Sequence, residues 1–202
     1  MSETGVVKFH FESSRAELAP FPGVEALNAA RQEVRRLGLL GMNECGIGFG
    51  NLSLRDEAND SFYITGSGTG GLESLGLQDY AKVTGWDFER NWLRCEGRAI
   101  ASAESLTHAA VYAMAAEARA VVHGHDEILW RNLLEGGITT GADVPYGTPA
   151  MAREVQRLFR ETDVRRKKIF AMAGHEEGIV VFGRDFREAL AALASAQLYR
   201  DR

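Results

Sequence analysis

His123 and His125 stand two residues apart in the run Ala120-Val121-Val122-His123-Gly124-His125. On a β-strand such residues share a face, and two imidazoles on one face are the start of a metal site. The chain has only five histidines. A third, His175, follows a strand-like run at the Gly174–Gly178 turn. Three neutral imidazoles with one open position make up many catalytic zinc sites; spacing alone leaves ligation and plain packing both open. Glu104 falls at the start of an expected helix, where the helix dipole favours an ionised carboxylate. Beside a dication it could accept a substrate proton, or it could be a first-turn glutamate of no consequence. His108 lies on the same helix face four residues on and reads as a packing residue. His10 is isolated and reads as structural or exposed.

The elements that must position these groups follow from periodicity. Val24, Leu27, Ala30, Val34 and Leu37 recur at helical spacing, with Gly38 and Gly41 marking the end. Leu52 to Arg55 and Ser61 to Thr65 alternate as the arms of a β-hairpin. Further strands are expected at Gln78 to Thr84 and Trp92 to Glu96, joined through Gly85-Trp86-Asp87. Ser102 is placed to cap a helix from Glu104 to Ala118, which hands over to a strand from Ala120 to His125. Short helices follow at Ile128 to Leu134 and Met151 to Arg160, then strands at Ile169 to Ala173 and Ile179 to Phe182. Asp185 to Glu188 has capping-box spacing and opens a last helix ending near Tyr199. Consecutive strands on short turns favour antiparallel pairing with helices over the faces. The expected fold is therefore α/β, a single-domain α/β/α sandwich around a mostly antiparallel central sheet, with residues 1–22 as an N-terminal arm and 23–202 as the domain.

Between hairpin and next strand lies Gly66-Ser67-Gly68-Thr69-Gly70-Gly71, formally the G-x-G-x-x-G pattern of dinucleotide folds. That pattern should follow a buried first strand and open a helix directly. Here it follows a hairpin carrying Arg55, Ser61 and Tyr63, so the dinucleotide fold is rejected. A loop of backbone N–H groups and hydroxyls able to cradle an anion survives, beside the plainer reading of a flexible turn.

Composition limits the partners. At 202 residues the chain can bury a core without staples. A net charge of −5 and no basic patch argue against a nucleic-acid footprint; Arg165 to Lys168 reads as a solvated connection. Glu117 and Arg119 interrupt the best apolar stretch, so no membrane span is expected. Met1 to Ser14 lacks the apolar core of a signal peptide. Two cysteines without metal spacing fit a reduced, cytoplasmic protein.

Five segments together resemble the class II aldolase/adducin family, the fuculose-phosphate aldolase group. They are Gly50 to Arg55, Ile64 to Gly68, Ala101 to Glu104, Val121 to His125, and Gly174-His175 through Gly183 to Asp185, within a likeness running from about Gly23 to Tyr199. The resemblance implies His123, His125 and His175 as ligands of Zn2+ or another divalent metal. It implies Glu104 as catalytic acid/base, and Asn51, Ser67, Gly68 and Ser102 as holders of substrate phosphate. It also implies a homotetramer and a small sugar or hydroxy-carbonyl substrate. The implied reaction is reversible aldol C–C cleavage through a metal-stabilised enediolate; glutamate at 104, where the epimerases carry aspartate, favours it over epimerisation. A non-catalytic adducin-like association domain, or a dehydratase, decarboxylase or epimerase, are the alternatives. Ala101 and Ala103 replace the proline and second serine of the family's Pro-Ser-Ser-Glu pattern, removing one hydroxyl donor to phosphate. The stretch from Leu133 to Tyr146 is shortened, and the family's leaving-group tyrosine finds no counterpart, Tyr146 being a poor stand-in by position. Glu176 and Glu177 would disfavour an anionic substrate if they face inward.

Overall fold

A computed structural model of the chain describes residues 7–198. In chain order the elements are β1 (His10–Ser14), α1 (Val24–Arg36), β2 (Gly41–Met42), β3 (Gly48–Phe49), β4 (Asn51–Arg55), β5 (Phe62–Thr65), β6 (Tyr80–Asp87), β7 (Trp92–Glu96), α2 (Ser105–Met114), β8 (Ala120–His125), α3 (Glu127–Gly136), α4 (Pro149–Glu161), α5 (Val164–Lys167), β9 (Ile169–Ala171), β10 (Gly178–Gly183) and α6 (Phe186–Gln197). Eight strands form one sheet in the order β1-β7-β6-β5-β4-β8-β10-β9, and β2 and β3 form a separate hairpin. Every pairing in the large sheet is antiparallel except β1 with β7.

Two apolar layers sandwich that sheet. On one face Leu106, Ala110 and Val111 of α2 and Met151, Val155 and Leu158 of α4 pack on Phe62, Ile64, Val83 and Val121. On the other, Leu27 and Val34 of α1, Leu129 of α3 and Phe186 and Leu193 of α6 pack on Leu52, Val122, Ile179 and Val181. Each fully buried side chain of this kind contributes roughly 1.5–3 kcal/mol. The arrangement is the α/β/α sandwich expected from the element order.

Several boundaries differ from the sequence expectation, for local reasons. β6 runs on to Asp87, because Gly85 sits at a register shift after Val83 instead of in a turn. Leu77–Asp79 ahead of it is a 3-10 turn. Helix α2 begins at Ser105, since Ser102 O accepts both the N–H and the hydroxyl of Ser105 (2.9 and 2.6 Å) and leaves Glu104 at the N-cap. It stops at Met114: Arg55 donates to the carbonyls of Tyr112 and Ala115, and Arg165 to that of Met114, taking acceptors that a further turn would use. β1 has no counterpart in the sequence reading; its residues are all exposed, and it carries His10 outward. Residues 1–6 of the arm, and the end of the last helix near Tyr199, lie outside the described residues.

Candidate active site

β8 is buried on both faces, which suits its continuous apolar run. Its register pairs His123 with Asn51 of β4 on one side and Val180 of β10 on the other. Paired residues share a face, so Asn51, His123 and His125 point to the side covered by α2. Gly124 points to the opposite side, where Leu39 crosses: a Cβ there would lie 3.0 Å from Leu39 Cβ and O. Leu39 O also accepts from His125 N at 2.9 Å. Glycine between the two histidines therefore lets the chain cross tightly behind them.

His175 arrives from the turn between β9 and β10. Its N–H donates to Met172 O (3.0 Å) and its carbonyl accepts from Gly178 N (2.9 Å). A Cβ on Gly174 would overlap Val144 O, so the Val144–Gly147 stretch can lie directly on this turn. That contact brings the Tyr146 ring onto the His175 imidazole, stacked at 4.5 Å between centroids.

The three imidazoles converge. One ring nitrogen from each of His123, His125 and His175 lies within 4.8 Å of the others. Three such atoms lie within about 2.8 Å of a shared centre, against ~2.0–2.1 Å for Zn–N bonds, so shifts below ~1 Å would close a coordination shell. His123 Nδ1 is 3.1 Å from Ile179 O, and His125 Nδ1 is 3.8 Å from Glu177 Oε2. These outer partners turn the opposite edges of the rings inward, as metal-ligating histidines require. The Nε2 of His125 and both ring nitrogens of His175 are buried without a hydrogen-bond partner, a costly condition for polar atoms. Burial pushes His123 well below its usual range; burial and the neighbouring His175 push His125 to about 3. Both are then neutral, the form that binds a metal. Donor identity, orphaned nitrogens and convergence all fit a divalent metal that accepts imidazole nitrogen.

Glu104 is 3% exposed. One carboxylate oxygen accepts from Thr107 Oγ1 at 2.7 Å, and Oε1 lies 3.3 Å from His175 Nδ1 without a well-formed hydrogen bond. Burial alone would raise its pKa. The adjoining His175 and His123 and the Thr107 hydroxyl outweigh burial and hold it down to about 2, so the buried carboxylate is ionised.

All the residues singled out from sequence line one cleft: Asn51, Ser67, Gly68, Ser102, Glu104, His123, His125 and His175. Its cavity volume is small, about 30 Å³. Asn51 Oδ1 is buried and unpartnered. Ser102 Oγ accepts from Glu104 N at 3.3 Å, which leaves its O–H free to donate elsewhere.

Neither glutamate of the turn lines the cleft. Glu176 is exposed, and Glu177 stands behind the His125 ring. Tyr146, read from its position as a poor stand-in, does line the cleft, and so does Phe49. Phe49 lies 5.2 Å from His125 between ring centroids, and Lys8 Nζ sits 3.9 Å over the Tyr146 ring. Pro145 and Gly147 flanking a tyrosine signal a turn, yet nothing in the spacing tells which turn reaches the histidines. His108 is buried outside the cleft, its Nδ1 2.6 Å from Ser53 Oγ, which in turn lies 2.7 Å from Tyr112 OH.

Comparison with known proteins places the chain in a family. The family model described as Class II Aldolase and Adducin N-terminal domain matches residues 32–198. Among solved structures, L-fuculose-1-phosphate aldolase from Thermus thermophilus is 22% identical, with 87% of this chain and 89% of that one aligned at a TM-score of 0.60. YgbL from Escherichia coli, whose designation spans aldolase, epimerase and decarboxylase, is 23% identical, with 86% of each chain aligned at 0.62. A sugar-phosphate aldolase from Thermotoga maritima is 15% identical, with 87% and 90% aligned at 0.63. At these identities the structures speak for the fold. No curated protein matches the chain.

Proposed function

The chain belongs to the class II aldolase and adducin N-terminal domain family, and from that premise we propose that it is a metal-dependent lyase that reversibly cleaves a C–C bond in a small hydroxy-carbonyl, sugar or sugar-phosphate substrate. The observation that carries this reading is the convergence of three imidazoles, two buried and one partly buried, on one cleft beside a buried carboxylate. A scaffold for protein association has no use for orphaned nitrogens in its interior, and each is costly there.

His123, His125 and His175 would hold the metal, zinc by its affinity for nitrogen donors. When bound, it supplies Lewis-acid polarisation of a carbonyl and its neighbouring hydroxyl, and stabilises the negative charge left by C–C cleavage. Glu104 moves the proton: in condensation it takes one from the carbon beside the carbonyl and the new alkoxide is protonated, and in cleavage the proton given up by the hydroxyl on the breaking C–C bond is passed through Glu104 to the carbon left negative. Ionisation at neutral pH makes it competent as the base. Thr107 fixes one carboxylate oxygen and leaves the other facing the histidines. Asn51, Ser67, Gly68 and Ser102 hold the far, oxygen-rich end of the substrate. At position 103 the alanine gives no hydroxyl, which removes a charge-assisted hydrogen bond of roughly 1.5–3 kcal/mol from phosphate binding and lets unphosphorylated substrates compete.

The same reading takes residues 1–22 as an arm and 23–202 as the domain, and makes the protein a cytoplasmic homotetramer. Among the described residues no helix is long and apolar enough to cross a membrane.

Metal analysis of chelator-free protein is the first test. About one equivalent of divalent metal per chain is expected; under about a tenth, with none regained on adding zinc, sinks the proposal. Product analysis on a panel of hydroxy-ketones and ketose phosphates then separates cleavage from epimerisation, dehydration and decarboxylation. Aldehyde release is the expected outcome.

A further inference from the structure

Arg31 is 1% exposed although it carries a full charge. It lies on the buried face of α1 with Leu27, Ala30 and Val34. Its guanidinium makes four hydrogen bonds, all to main-chain carbonyls of one short stretch. Nη2 donates to Thr69 O (2.9 Å), Gly70 O (3.4 Å) and Leu72 O (2.6 Å), and Nη1 to Glu73 O (3.3 Å). Nε has no partner. A buried cation held by neutral carbonyls alone is an expensive arrangement for stability, so its effect on the loop is the thing to explain.

Peptide units are planar and trans, so the C=O and N–H of one unit point in opposite directions. When Arg31 draws the carbonyl of Thr69 toward α1, the N–H of Gly70, in the same unit, is turned away from α1. Gly68 and Gly70 line the cleft. The neighbouring amides are occupied: Ser67 N donates to Ile100 O and Thr69 N to Gly66 O. The Asn51 side-chain amide and the Ser102 hydroxyl also line the cleft. An amide turned away from α1 on one side of the loop and a cation behind its carbonyls on the other polarise the wall that lines the cleft.

We propose that Arg31 is a positioning residue that aims the Gly-rich loop at an anionic substrate group, a phosphate, which it never touches. This rests on the cleft's being the substrate site as read above, and it deepens that reading by naming the residue that orients the loop end.

The test is calorimetric titration of inorganic phosphate into the metal-loaded full chain, with metal content and unfolding midpoint measured on every variant. Arg31→Met removes charge and fork while filling the buried space; Arg31→Lys keeps the charge but not the fork. Phosphate affinity is expected to fall at least about tenfold in Arg31→Met and about threefold in Arg31→Lys, with metal content unchanged. Gln32→Ala is the control: Gln32 also donates to Glu73 O, at 2.7 Å, but from an exposed position, and it should bind phosphate as the wild type does. A merely structural Arg31 would lower the unfolding midpoint and leave phosphate affinity alone. Affinity within twofold of wild type in both Arg31 variants overturns the proposal and leaves the lyase reading intact. No phosphate binding by metal-loaded wild type also overturns it, together with the phosphate assignment; absence of metal would instead strike the lyase reading itself. Where Arg31→Met does not fold, Arg31→Gln replaces it with the same expected loss.

Discussion

The two ends of the cleft are built from different material. At one end the proposed chemistry would rest on side chains: three imidazoles and a carboxylate, fixed by strand register and a helix start. At the other the proposed binding would rest largely on the main chain, in a glycine-rich loop whose Thr69 and Leu72 carbonyls accept hydrogen bonds from an arginine on α1. The first kind of site tolerates almost no change of residue type at its ligands but leaves the backbone free to be ordinary. The second can be altered from a residue that never touches the ligand. Substitutions at the two ends should therefore fail in different ways, metal loss at one and anion loss at the other.

The sharpest way to break that division is His175→Ala. With two imidazoles left, metal affinity should fall by more than the ~10–100-fold typical of losing an outer partner. His108→Ala should keep the metal, since His108 bonds toward Ser53 and Tyr112, outside the cleft. Metal retained by the first variant and lost by the second means the ligand set is misassigned. Next in size is Glu104→Gln, nearly isosteric, which should hold its metal and lose ~10²–10⁴-fold in turnover as the proton-transfer group disappears. Equal turnover by variant and wild type would remove Glu104 from its role. Smaller again is Glu177→Gln. At 3.8 Å from His125 Nδ1 and 43% exposed, this carboxylate biases the ring from behind through solvent-screened charge, so metal affinity should drop by about tenfold, at the low end for an outer partner. Isotope-labelled histidine NMR of metal-loaded protein can follow the His125 ring directly.

The same division explains what can be read from the sequence. The His123-Gly124-His125 spacing announces two imidazoles on one strand face, and the strand Ala120–His125 has the expected limits. The hairpin around Asp56 to Asp60 is equally legible, because alternation and turn chemistry agree there. The placement of His175 beside them is not in the spacing; it depends on β10 pairing with β8, a contact across the chain that the family pattern supplies. Tyr146 escapes such a reading because a loop's destination has no periodic signal, and only the crowding of Gly174 by Val144 fixes it. Arg31 does leave a trace. It falls four residues after Leu27 on the apolar stripe of α1, and a charged residue there asks for buried partners. Main-chain carbonyls answer that demand, and they carry no residue code.

Two glycines of the loop give the finest test of the main-chain end. A Cβ at Gly70 would overlap the main-chain oxygen of Phe49 and lie 2.6 Å from that of Gly41. Backbone cannot swing aside as a side-chain tip can, so Gly70→Ala must push the loop off the β2–β3 hairpin, at roughly 1–3 kcal/mol. At Gly68 a Cβ meets nothing within 4 Å, and only the positive φ of 76° stands against alanine, a cost of about 1–2 kcal/mol. Urea unfolding should order wild type above Gly68→Ala and Gly68→Ala at or above Gly70→Ala. Phosphate titration should separate them further. Gly68→Ala keeps the carbonyls of Thr69 and Gly70 on Arg31 and with them the aim of the Gly70 amide, whereas Gly70→Ala moves both. If Gly68→Ala loses anion binding as completely as Gly70→Ala, the Gly68 amide is itself the principal contact, and the polarity set by Arg31 matters less than the local turn.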